Sequence, residues 1–166
     1  MTEMLHWYAE TTGGVQTGNC TVTENGGALH LTAGLPAGTL KAVRAEMPWT
    51  MEADERLFMN GCQTWTYSPE LDRNGKLRGT DHIPGFLRKK YAFDRYGDYH
   101  FVPYGHQKGQ SHGFSYCYFG KGTQFRLVAS LDETPGYTIL RYDSGKALLT
   151  LERDCAGVEH SGGSFA

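Results

Sequence analysis

An excess of charge of either sign is what this sequence most clearly lacks: 16 Lys and Arg stand against 18 Asp and Glu, a formal net charge of −2. Nothing therefore drives the chain onto a phosphate backbone or an anionic lipid surface, and neither nucleic acid nor membrane is an expected partner. Long apolar runs are missing too. No stretch reaches the roughly 18 uninterrupted apolar residues of a membrane-spanning helix. The first thirty residues hold neither a basic n-region nor an apolar run of signal-peptide length. A soluble, cytoplasmic protein is the expectation. Cysteine is sparse, and Cys20, Cys62, Cys117 and Cys155 lie far apart with no C-x-x-C pair. That removes zinc ribbons and dithiol redox motifs and leaves free, partly buried thiols.

What is present is glycine and aromatic side chains. Among 166 residues there are 22 Gly, ten Tyr, eight Phe and three Trp, a composition that excludes disordered, collagenous and coiled-coil chains and fits one turn-rich domain spanning residues 1–166. Gly13-Gly14, Asn25-Gly26-Gly27, Asn60-Gly61, Asn74-Gly75, Gly120-Lys121-Gly122 and Ser144-Gly145 punctuate the chain, most of them followed by short alternating segments. In Phe125–Leu131, the residues Phe125, Leu127, Ala129 and Leu131 share one face, as in a half-buried strand. The aromatic run Phe114–Phe119 precedes it as a hairpin partner. A second hairpin is expected from Tyr137–Tyr142 through Asp143-Ser144-Gly145 to Ala147–Arg153. Upstream, Leu29–Ala33 and Leu40–Met47 read as two strands around a turn at Leu35-Pro36-Ala37-Gly38. The span 83–96 has some helical character, opened by Pro84 and Gly85, or else forms a surface loop. Sequential strands without strand-helix-strand alternation predict an all-β fold, an antiparallel sandwich rather than a parallel sheet.

Few residue patterns here point to catalysis or metal. Gly109-Gln110-Ser111-His112-Gly113 fits G-x-S-x-G, and Asp132 and His160 follow in hydrolase order. The elbow, however, needs a buried strand before the serine and a helix after it, whereas a polar Gly-rich loop precedes and a strand follows. Ser111 is thus expected to be a loop serine. His100, His106 and His112 recur at six-residue intervals, which matches no established zinc spacing. The acidic residues are scattered, and no pair can be set across a glycosidic bond from sequence alone. No catalytic residue, metal site or cofactor is assigned.

The most informative stretch is Leu57–Glu70. A Trp face stacks on the C–H surface of a pyranose, while Asn and Gln amides and Thr hydroxyls donate to and accept from sugar hydroxyls without charge. Asn60, Gln63 and Trp65 are the candidate binding residues, and Gly61 allows close backbone approach. Equally, Trp65 and Tyr67 fit the aromatic core of a sandwich.

Asn60-Gly61-Cys62-Gln63-Thr64-Trp65 resembles the NG(Y/W)QSW signature of the melibiase-type α-galactosidases, glycoside hydrolase family 36. Gly97–Phe101, Ser111–Phe114 with Tyr116 and Tyr118, Ala129–Glu133 and Pro135–Thr138 also look like that family's amino-terminal β-domain. The resemblance runs from about Leu29 to Gly157, with Cys62 where an aromatic is usual and Thr64 where Ser is usual. It implies the whole or leading part of a galactose-mutarotase-like supersandwich. In that family the sandwich precedes a (β/α)₈ barrel that bears both catalytic aspartates of a retaining mechanism. It also implies that Trp65 reaches over the sugar pocket of the barrel. A barrel takes about 200–250 residues, so the catalytic carboxylates are expected outside this chain. The expected partners are a galactose-containing oligosaccharide and the barrel domain or a neighbouring subunit. Two other roles fit the same residues: a free-standing carbohydrate-binding module, or a structural and assembly domain.

Overall fold

The glycine-spaced, alternating segments become eleven strands and one short helix in the computed structural model, which describes residues 5–61, 67–77, 83–92, 107–134 and 136–165. In chain order these are β1 (His6–Thr11), β2 (Gly14–Asn19), β3 (Thr21–Asn25), β4 (Ala28–Pro48), β5 (Arg56–Met59), β6 (Glu70–Leu71), helix α1 (Gly85–Lys90), β7 (Gln110–Phe114), β8 (Tyr116–Lys121), β9 (Gln124–Ala129), β10 (Tyr137–Asp143) and β11 (Leu148–Phe165). Every strand pairing is antiparallel. One sheet has seven strands in the order β2-β1-β4-β11-β10-β7, with β3 also paired to β4, and the other has four, β6-β5-β8-β9. The fold is an all-β antiparallel sandwich, as the sequence predicts.

Two strands are far longer than expected. Leu29–Met47 is one strand of the 21-residue β4, with Pro36 and Gly38 inside it rather than in a turn. The polar segment after Arg153 continues as β11 and pairs Val158–Phe165 with Ala33–Leu40. Both strands bend where the register slips. Between Asp154 and Val158, three residues of β11 stand opposite Lys41, with Ala156 and Gly157 at φ of 50° and 80°. Such a bulge sharpens the twist and turns the strand.

The bend folds β4 back on itself. Thr21 pairs with Thr32, while the adjacent Cys20 donates its N–H to Leu5 O at 2.7 Å, beside His6, which pairs with Glu46. In a straight strand Thr32 and Glu46 would lie roughly 46 Å apart; here a few residues of β1 and β3 connect them. The first core fills this fold: Leu5, Trp7, Ala9, Cys20, Leu35, Leu40, Val43 and Cys155, with Phe165 packed against them.

The second core lies between the sheets. Met51, Leu57, Met59, Cys117 and Phe119 meet Leu140, Tyr142 and Leu149, and Met47 touches both cores. Phe119 stands edge-on to Tyr142 at 5.1 Å and tilted against Trp49 at 5.3 Å. Arg126 closes the margin. Its guanidinium donates to both carboxylate oxygens of buried Glu55 at 2.8 and 2.5 Å and to Thr50 O at 2.8 Å, and lies 4.8 Å over the Trp49 ring. On the opposite face of the larger sheet, Glu152 sits between Arg44 and Arg141 at 2.5 and 3.6 Å, a charge ladder across three neighbouring strands.

One face assignment is reversed. Phe125, Leu127 and Ala129 do share a face, but it is the outer one, and Arg126 and Val128 point toward the core. The expected run Phe114–Phe119 is also divided. Ser115, in the left-handed region at φ 61°, passes the chain from β7 in one sheet to β8 in the other.

Candidate functional site

The Asn60-Gly61 step leaves β5 at the seam where the two sheets meet. Leu57 and Met59 alternate into the inter-sheet core, which sends Phe58 and Asn60 to the other face of the strand. Past Met59 the ladder to β8 continues through one more bond, Asn60 N–H to Tyr116 O at 3.2 Å. Asn60 then changes partners. Its carbonyl accepts from Phe114 N–H at 2.8 Å, and its side-chain amide donates to Phe114 O at 3.0 Å. Three hydrogen bonds thus fix one residue to the last position of β7 and the first of β8.

Gly113 makes this junction possible. A Cβ there would stand 2.9 Å from Asn60 O and from Met59 Cβ and 3.0 Å from Asn60 N. Any side chain would push the end of β5 away from β7.

Outside the seam, aromatic rings line the outer face of the four-stranded sheet. Phe58 stacks on Tyr118 at 5.0 Å with 11° between planes, and on Tyr116 at 6.1 Å. Tyr118 Oη donates to Glu70 Oε1 at 2.6 Å, and this bond to a carboxylate pushes the phenol up to about 12. Glu70, in β6, belongs to the same 57–70 stretch as the sequence motif. The aromatic pairs Phe58/Tyr116 and Phe58/Tyr118 are cross-strand contacts of the kind that stabilise a sheet.

Of the three candidate binding residues, the described structure contains Asn60; Gln63 and Trp65 lie outside the described residues, as do Cys62 and Thr64. Asn60 is held by the frame and acts as the base from which residues 61–66 depart. Tyr67, on the far side of that segment, is exposed.

The other sequence patterns disperse. Ser111 is in strand β7 and not in a loop, buried opposite Tyr142 with its Oγ unpaired, and lines a water-sized hollow together with Tyr142 and Arg73. His112 turns to the other face, its ring edge-on to Phe114 at 5.7 Å. Asp132 is beside Arg153, whose guanidinium donates to its carbonyl at 2.5 Å, while His160 lies beyond the bulge of β11, opposite Gly38. No triad forms from them. His100 and His106 are outside the described residues. Cys20, Cys117 and Cys155 are free and buried. Among the described residues no helix is long and apolar enough to cross a membrane.

The Arg126–Glu55 clamp and the Asn60–Phe114 lock were not foreseen. Their partners lie 71 and 54 residues apart, so no local spacing announces them. The one usable signal is Gly113, a glycine inside an otherwise bulky strand, which marks close approach of another backbone.

No protein-family model matches this chain, and no curated protein and no solved structure matches it.

Proposed function

We propose that the chain is the amino-terminal, non-catalytic β-domain of a retaining α-galactosidase of the melibiase type. In this role it carries Trp65 to the wall of a pocket for a terminal α-galactoside, as in melibiose or raffinose. The observation that supports this most is the locking of Asn60. The first residue of the NGxQxW-like stretch is fixed at the seam of the sandwich by three hydrogen bonds, so the segment that follows starts from a rigid base. A sugar-stacking ring benefits from such a base, because orientation is set before binding rather than at its expense. Asn60 is here a positioning residue, and Gln63 supplies an amide suited to sugar hydroxyls.

Chemistry is assigned to carboxylates outside these 166 residues. The hollow lined by Met51, Ser111 and Tyr142 carries a single acidic residue, Asp72, whereas glycoside hydrolysis takes a flanking pair. The purified chain is therefore expected to release no nitrophenol from a nitrophenyl α-galactoside above the buffer rate. Release that falls when Trp65 is replaced by Ala would place a catalytic site within the chain and contradict the proposal.

A further inference from the structure

A hydroxyl taken out of water is as a rule hydrogen-bonded, because an unpaired one loses its hydration with no compensating contact. Two hydroxyls near the seam depart from this rule. Ser111, in β7, is 3% exposed, and its Oγ has no partner among the described residues. Tyr142, also 3% exposed, stands directly opposite in β10, so both side chains leave the same face of the larger sheet. Its Oη accepts from Met51 N–H at 3.1 Å, and its own proton has no acceptor among the described residues.

Both residues line the same hollow. Its volume of about 10 Å³ is close to what one ordered water requires and far below what a sugar or any other organic molecule would fill. The other donors of the lining are engaged. Ser144 Oγ donates to Arg73 O at 2.6 Å, Arg73 Nη2 to Met51 O at 3.4 Å, and the Gln110 amide to Asp143 Oδ2 at 2.9 Å. The hydroxyl protons of Ser111 and Tyr142 are what remain. Asp72 and Arg73, in the same lining, bring acceptor oxygens.

The geometry points to a single ordered water in this hollow, accepting from the Ser111 and Tyr142 hydroxyls and donating to oxygens of the turn at residues 72–73. A buried water typically makes about three hydrogen bonds, and these residues supply them. The water joins β7 and β10 to the turn that follows β6. That turn is otherwise held to the larger sheet by Ser144 Oγ and by Gly109 N–H, which donates to Gly75 O at 2.8 Å. It thereby fastens the end of the smaller sheet's edge strand to the larger sheet.

Removing the Ser111 hydroxyl has opposite consequences with and without the water. With it, Ser111→Ala takes away one of the water's partners, and the unfolded-to-folded ratio from urea unfolding of the purified chain is expected to rise ~5-fold. Without it, the substitution only deletes a buried hydroxyl that has no partner, and the ratio falls. A high-resolution crystal structure of the unsubstituted chain is expected to show one peak within hydrogen-bonding distance of both Ser111 Oγ and Tyr142 Oη. A Ser111→Ala chain as stable as the parent or more so, or a well-ordered hollow with no such peak, would overturn the inference.

Discussion

Gly113 and Cys117 show how single positions in the inter-sheet seam carry the fold. At Gly113 the obstruction to a side chain is mostly backbone, at 2.9–3.0 Å, which cannot swing aside as a flexible side chain could. Gly113→Ala is expected to destabilise the chain by about 1–3 kcal/mol, the usual cost of overpacking, read from the urea midpoint at unchanged slope. Cys117 is fully buried between Met59 and Val128, its cross-strand partners. Burial pushes its thiol up to about 12, and the thiols of Cys20 and Cys155 and the Tyr142 phenol are raised by the same cause. A raised pKa in the folded state leaves stability intact below the unfolded value, about 8.5 for a thiol. Stability is then lost as pH climbs from there toward the folded value. Cys117 alone is expected to remove about 2 kcal/mol between pH 7 and pH 10, and Cys117→Ala to flatten the dependence of urea unfolding on pH over that range.

Elements were legible where a local pattern sufficed. The hairpin β10–β11 turns at Asp143-Ser144-Gly145, where Asp143 accepts from the N–H groups of Gly145 and Lys146, and a turn residue bonding its own backbone is a sequence-local signal. The hairpin β8–β9 was visible in its Gly120-Lys121-Gly122 connection, and the short helix after Pro84 takes one of the two readings that the sequence left open. The failures have a common cause. Period-2 alternation shows that Phe125, Leu127 and Ala129 share a face, but which face is buried depends on what lies opposite. Here an arginine stacked on Trp49 and paired with Glu55 occupies the inner side. Likewise Pro36 and Gly38 look like a turn. Tolerance of both inside β4 comes from the partner strand, whose Ser161 and Gly163 pair with Ala37 and Leu35 in a segment equally rich in glycine. The polar end of β11 looked like a tail because its pairing partner is more than a hundred residues earlier. Sequence identified where strands are; it could not supply the long-range partners that decide their length and direction.

At the scale of the whole molecule, the bulge in β11 and the bend of β4 produce two cores joined through Met47, and the smaller sheet seals the second of them. The Asn60-Gly61 step lies on the rim of that second core, and the motif whose resemblance suggested a sugar-binding role therefore starts at one of the best-fixed points in the protein. The fold class was legible in the sequence, and of the candidate stretch the described residues give the strand before Asn60 and the short β6 after it. The lock at Asn60 was not legible, since Phe114 and Tyr116 become its partners only when Ser115 carries the chain from one sheet to the other. Sugar recognition through Trp65 is the central proposal. Its most direct test is the kinetics of nitrophenyl α-galactoside hydrolysis by the product of the complete reading frame, with Trp65 intact and replaced by Ala. Loss of ring stacking is expected to raise KM ~10-fold while kcat changes little; a KM unchanged by the substitution, or a gene product without this activity, would contradict the account.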